Sequence, residues 1–233
     1  MTSIQPRLLG LFQLCRGIVV ALAMTMPLMA FAASPQPADT ISVRRAFVEY
    51  PVAALDILSR TNRLDMLDYW DVDSIWSATN GMEGLSHLDA VTHDYLKVTI
   101  TPVSSLQLKI LPLRKGGQLL MSIYTVGDST QAPDSDVKFF NAQMQELDRT
   151  KFLPYPKLKE FFEIPKGCET SQKEIDKMIP FPTVEYDAAA SSTTLKAKLT
   201  IGDYMNVDDY NIIKLFLKPE VEYEWKDGKF KSL

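Results

Sequence analysis

Two histidines and two cysteines stand in a chain of 233 residues, so metal and nucleophile chemistry have few places to start. His87 and His93 share one segment with Asp89 and Asp94. Imidazole and carboxylate are ordinary zinc ligands. If the segment is a strand, alternate residues share a face, which groups His87, Asp89 and His93. Six residues of extended chain nevertheless span about 20 Å, too far for one ion. Both histidines therefore read as solvated surface residues, and no metal is expected. Gly84-Leu85-Ser86-His87-Leu88 begins like a nucleophile elbow but lacks the second glycine and a strand–turn–helix context. Cys168 has Lys166 and Glu169 beside it, with opposing effects on a thiolate, and no recognisable histidine partner. Asp65, Asp68, Asp71 and Asp73 offer oxygens, but the glycine and closing ligands of a calcium loop are missing, so a solvated helix face is expected. There is no Walker loop, dinucleotide fingerprint or CxxC pair, and hence no expected cofactor. Carboxylates and aromatics remain. Two facing carboxyls can hydrolyse a glycan without histidine. Tyr69, Trp70 and Trp76 cluster near a loop, where a flat ring can stack on a sugar or anchor a partner. The competing reading puts Trp70 in the core and Trp76 at one end of a sheet.

Composition narrows the class. Hydrophobic residues make up 46% and charged residues 23%, as in folded soluble proteins. The net charge of −4 argues against nucleic-acid binding, which calls for a basic surface. The N-terminus reads as an address. Arg7 and Arg16 are the only charges before Asp39, an apolar run spans Gly17 to Met29, and Ala30-Phe31-Ala32-Ala33 follows. That is a secretory signal peptide over 1–33, cleaved before Ala33 or Ser34. Losing Arg7 and Arg16 takes the net charge from −4 to −6, and Cys168 is then the sole cysteine. No intramolecular disulfide and no membrane span are expected in the mature chain. About 200 residues can bury enough surface to fold without a staple.

Residues 34–41, with Pro35 and Pro37, form an extended tether, and 42–233 the folded part. Val43, Ala46, Phe47 and Tyr50 have helical spacing behind the N-cap candidate Ser42. Pro51 opens a second helical stretch through Leu55 and Leu58. Thr61 or Asn62 caps a third, carrying Leu64, Leu67 and Trp70. The period then changes to two. Apolar residues alternate with polar ones over 96–101, 106–110 and 119–123, with Val137 and Phe139 beginning another strand. One apolar and one polar face marks an antiparallel sheet covered on one side. Further on, helical stretches at 156–162 and 171–179 precede strands at 184–188 and 195–201. Residues 207–217 form a helix or an irregular crossing, and a hairpin turns at Asp227-Gly228. The pattern predicts an α+β fold of antiparallel sheet with helices packed on one face. Thr125-Val126-Gly127-Asp128 matches Thr200-Ile201-Gly202-Asp203, so the folded part is one unit or two tandem helix-plus-meander halves, 42–150 and 151–233.

Three stretches carry a resemblance: Ser59-Arg60-Thr61-Asn62-Arg63-Leu64-Asp65-Met66-Leu67-Asp68-Tyr69, Asp94-Tyr95-Leu96, and the ending Tyr223 to Phe230. Together they resemble a Bacteroidales family labelled domain of unknown function 3256, over most of the mature chain. The resemblance implies an exported protein of a Gram-negative bacterium, periplasmic or envelope-associated. It attaches no activity, so no catalytic residue is carried over.

The sequence thus points to a non-enzymatic binding or accessory module of the envelope, with a protein or glycan partner at Trp76, Tyr69 and Trp70. A carboxylate-dependent glycan hydrolase is the alternative.

Overall fold

The structure, a computed structural model, describes residues 40–51, 55–72, 76–127, 132–168, 170–179 and 181–233. The expected signal peptide and nearly all of the tether lie outside them.

Helix α1 (Val43–Glu49) starts where Ser42 Oγ accepts the Arg45 N–H, and its apolar spacing buries Val43, Ala46 and Phe47. The helical stretch expected to open at Pro51 begins outside the described residues, at 52–54. Leu55–Leu58 is a turn, closed by Leu58 N–H on Leu55 O, and Ile57 O is taken by Gly81 N–H at 2.6 Å rather than by a following turn of helix. Helix α2 (Arg60–Asp71) is capped by Ser59, two to three residues earlier than expected. Its buried stripe is Arg63, Met66 and Leu67, whereas Leu64 and Trp70 are exposed. The stripe is rotated because Arg63 reaches Phe47 O, one of the carbonyls that the end of α1 leaves without a helical partner.

The first sheet is an antiparallel meander of seven strands in chain order. They are β1 (Ala78–Thr79), β2 (Leu85–Val91), β3 (Tyr95–Thr101), β4 (Ser104–Pro112), β5 (Gln118–Val126), β6 (Asp134–Phe140) and β7 (Glu146–Leu147). Leu96, Val98, Ile100, Leu106, Leu108 and Leu120 face α1 and α2 in one apolar core. Leu111, Leu119, Met121, Ile123, Val137 and Phe139 belong to a second core.

That second core is shared with a four-stranded antiparallel sheet of β8 (Val184–Ala188), β9 (Thr194–Leu199), β10 (Val221–Lys226) and β11 (Lys229–Ser232), with β8 at one edge. Asp227 and Gly228 both have positive φ, the backbone a tight two-residue hairpin demands. Two short helices join the same core. Helix α3 (Gln172–Met178) contributes Ile175 behind a Ser171–Glu174 capping box, and α4 (Val207–Ile213) contributes Ile213. The class is α+β with antiparallel sheets.

The first sheet is covered on both sides, which corrects the one-sided expectation. Gln107 and Lys109, placed by alternation on a solvent face, are 4% and 2% exposed. They and their neighbours satisfy the edge of β8. Val184 N–H donates to Asp134 Oδ1 (3.0 Å), Tyr186 N–H to Ser135 Oγ (3.0 Å) and Ala188 N–H to Gln107 Oε1 (2.9 Å). Gln107 Nε2 and Lys109 Nζ donate to Tyr186 O and Ala190 O. A sheet edge carries a row of unpaired backbone groups, and here polar side chains from another sheet's face supply partners.

The four-residue sequence match sits in unlike backbone. Thr125 and Val126 end a strand, whereas Ile201–Asp203 is a 3-10 turn; Asp128 lies outside the described residues. No helix among the described residues is long and apolar enough to cross a membrane.

Candidate functional site

The residues singled out from the sequence form an aromatic corner beside α2. Asn62 Nδ2 donates to Thr79 O and ties the helix to β1. Asn80 sets the following turn, its Oδ1 accepting from Met82 and Gly84 N–H. This brings the Tyr69 and Trp76 rings into a stack, with centroids 4.8 Å apart and planes 17° from parallel. Trp76 is half-buried against the helix-side core, while Tyr69 and Trp70 are exposed. The pair thus covers part of each other's ring surface, and no described ring contact joins Trp70 to it.

The histidines do not converge. His87 Nε2 lies 3.2 Å from Asp89 Oδ1, and His93 Nδ1 lies 3.5 Å from Asp94 Oδ1. Among the described residues no group of three or more His, Cys, Asp or Glu is placed to share an ion. Asp94 serves a different purpose, accepting from the buried Lys109 Nζ at 2.9 Å. Partial burial works to raise its pKa. The hydrogen bond and charge of Lys109, with Thr92 and His93 adding, outweigh this and hold the carboxyl below its ordinary range.

A second place was not visible in the sequence. Where β6, β8 and the segment after β7 meet, a cleft of about 290 Å³ opens. Arg149 enters it from a 3-10 turn (Arg149–Lys151) that Asp148 caps by accepting from Thr150 N–H. The guanidinium carbon stands 4.4 Å from the centroid of the Tyr155 ring and 5.5 Å from that of Tyr186. Cation–π attraction operates at such distances. Nη2 donates to the Tyr186 hydroxyl at 3.2 Å, while Nε is buried with no hydrogen-bond partner. Among the described residues Arg149 forms no ion pair. Burial pushes the Tyr186 hydroxyl pKa up, and the charge and hydrogen bond of Arg149 oppose the rise. Pro156, Leu158, Phe161, Pro182 and Val184 make apolar walls, with Asp134 and Ser135 as the remaining polar lining.

Ser135 and Asp134 are held by the edge of β8. Ser135 Oγ accepts from Tyr186 N–H and shares a hydrogen bond with Thr125 Oγ1, while Asp134 Oδ1 accepts from Val184 N–H. A second cleft, of about 320 Å³, is lined by Glu160, Glu220 and Glu222. Lys196 bridges Glu220 (2.6 Å) and Glu222 (3.4 Å), and Glu160 accepts from the Tyr223 hydroxyl. Sequence reading passed over Arg149 because its partners lie up to 37 residues away. The one local signal was Asp148 before Thr150, which marks a capped turn.

The family described as protein of unknown function (DUF3256) matches residues 37–230. The chain belongs to this family. A solved structure of a domain of an uncharacterized protein from Porphyromonas gingivalis W83 has a similar fold, with a TM-score of 0.68 and 18% sequence identity. The likeness covers 84% of this chain and 98% of that one. Among curated proteins no relative matches. For this member of the DUF3256 family the likeness establishes the fold, and function must be argued from the clefts.

Proposed function

We propose that this DUF3256 protein is an exported, periplasmic or envelope-associated binding module without catalytic activity, and that the Arg149 cleft is its ligand site. The single observation that carries the reading is a concave, mostly apolar pocket lined by a guanidinium whose described hydrogen bond goes to a tyrosine hydroxyl and that forms no ion pair among the described residues. Apolar walls with a few convergent polar groups are the general form of a small-ligand site. Export rests on the basic, apolar and small-residue order of the first 33 residues.

The hydrolase alternative is less well supported by the same cleft. Among the described residues it contains one carboxylate, Asp134, where glycan hydrolysis uses two. Its serine is hydrogen-bonded to backbone and to Thr125, and both histidines pair with aspartates on or beside β2. In the second cleft the glutamates are engaged by Lys196 and Tyr223.

Thermal unfolding of the purified protein, with and without small-molecule and glycan extracts of its native envelope, tests this reading. The expected result is a rise in Tm that Arg149→Gln removes, with no new reducing ends. Reducing ends that disappear in Asp134→Asn, or a Tm indifferent to every extract, would overturn it.

A further inference from the structure

Resting on that reading, we infer that the Arg149 cleft takes a small singly charged carboxylate with an apolar body, the carboxyl held by the edge of the guanidinium. The geometry points to an anion first. A guanidinium has five N–H donors. Of these, one donates to Tyr186 and Nε is buried, which leaves both donors of Nη1 and the second of Nη2 with no acceptor among the described residues. Arg63 also has an unpartnered buried Nε, but its guanidinium serves Phe47 O within the helical layer. Arg149 instead lines open space.

The rings of Tyr155 and Tyr186 flank the guanidinium, 4.4 and 5.5 Å from its carbon. The edge of the planar guanidinium fork matches the two oxygens of a carboxylate. Charge separates carboxylate from phosphate. Asp134 lines the same cleft, and its charge opposes a dianion more than a monoanion. The walls of Leu158, Phe161, Val184 and the two prolines offer hydrogen bonds to nothing, so the rest of the ligand is apolar. The volume of about 290 Å³ lies at the small end of ligand pockets, which limits the body to a few carbons or one ring. Such a group is found both on a free organic acid and at the carboxyl end of a peptide.

The probes are 3-phenylpropionate, its neutral amide, inorganic phosphate, and a pentapeptide ending in phenylalanine as free acid and as amide. Each is titrated into the isotopically labelled protein while amide resonances of residues 133–135, 149–155 and 182–186 are followed. The expected result is saturable shifts at these residues for an acid form, weakened at least tenfold in the matching amide and in Arg149→Gln. Tyr155→Ala, which removes an exposed ring, should weaken the acid several-fold while leaving distant resonances in place. Tighter binding of the peptide acid assigns the source to chain ends, and tighter binding of phenylpropionate to free acids. Equal binding of acid and amide, or preference for phosphate, overturns the carboxylate assignment while leaving the cleft a ligand site. No saturable shift from any probe, combined with a Tm indifferent to envelope extracts, removes both readings.

Discussion

The two faces of the seven-stranded sheet bury themselves by different chemistry. Against α1 and α2 the contact is apolar, made by Phe47, Leu55, Leu58, Leu106 and Leu108, and the Tyr69–Trp76 corner closes one part of it. Against β8 a polar seam of Asp134, Ser135, Gln107 and Lys109 runs beside an apolar core, and the Arg149 cleft opens next to it. An apolar contact tolerates small shifts, because dispersion is not directional. A hydrogen-bonded seam fixes position, because each misplaced donor is left buried and unpaired. The difference suggests why a pocket with a fixed guanidinium belongs on the second face: the seam sets β8, and β8 supplies Tyr186 and Val184 to the cleft.

The sharpest way to break this contrast is at the seam's one buried charge. Asp94→Ala leaves Lys109 at 2% exposure with only Ala190 O and the Tyr95 ring nearby. Removing one partner of a buried pair typically costs 3–5 kcal/mol, and the partial exposure of Asp94 places the expected loss near the lower figure, about 3 kcal/mol. Chemical denaturation at pH 7 measures it. Acid supplies the sign check. The folded-state pKa of Asp94 is depressed, so its contribution is present above the ordinary carboxylate range and is lost as pH falls through the lower folded value. The gap in stability between wild type and Asp94→Ala should therefore close on acidification below about pH 4. A constant gap from pH 7 to pH 3 would remove the ion pair from the account.

Next in size is Gln107→Leu. It orphans Ala188 N–H, Tyr186 O and the Tyr95 hydroxyl together, at roughly 1–3 kcal/mol per buried group, so a loss of about 2 kcal/mol or more is expected. Hydrogen exchange at Ala188 should rise in step. A loss under half a kcal/mol would mean that water reaches the seam and that the two faces are less different than they look.

The same contrast explains what was legible from sequence. Local rules recovered α1 with its Ser42 cap, the Ser171–Glu174 box, most strands and the Asp227-Gly228 hairpin, because each is decided within a few residues. Tyr69 and Trp76 came out as neighbours for that reason, seven positions apart. Gln107 and Lys109 were assigned to solvent because alternation shows which face a residue is on but not what covers that face. Their partners lie about 80 residues away. Arg149 escaped notice on the same grounds: an arginine becomes a site only when distant rings close over it.

On the helical side, Trp76→Ala removes one ring of the stack and part of the core's edge. An aromatic pair is worth about 0.5–1.5 kcal/mol beyond buried area, and with Trp76 half-exposed a total loss of about 2 kcal/mol is expected. Ligand-induced shifts at the Arg149 cleft should be unchanged. If they weaken in parallel, the two faces are coupled through the sheet and the contrast fails.

The smallest expected effect is the most discriminating. Arg149→Met in the free protein removes the unpartnered Nε, which favours the variant, and removes the Tyr155 contact and the bond to Tyr186, which does not. These terms oppose one another, and a change within about 1 kcal/mol is expected from equilibrium unfolding. A residue kept for packing would cost more when truncated this close to a core. A residue kept for a ligand reveals its value only when the ligand is present. Near-neutral stability alone, with ligand stabilisation abolished, is therefore the signature of the cleft. A loss above 3 kcal/mol would instead make Arg149 part of the seam that holds β8 in place.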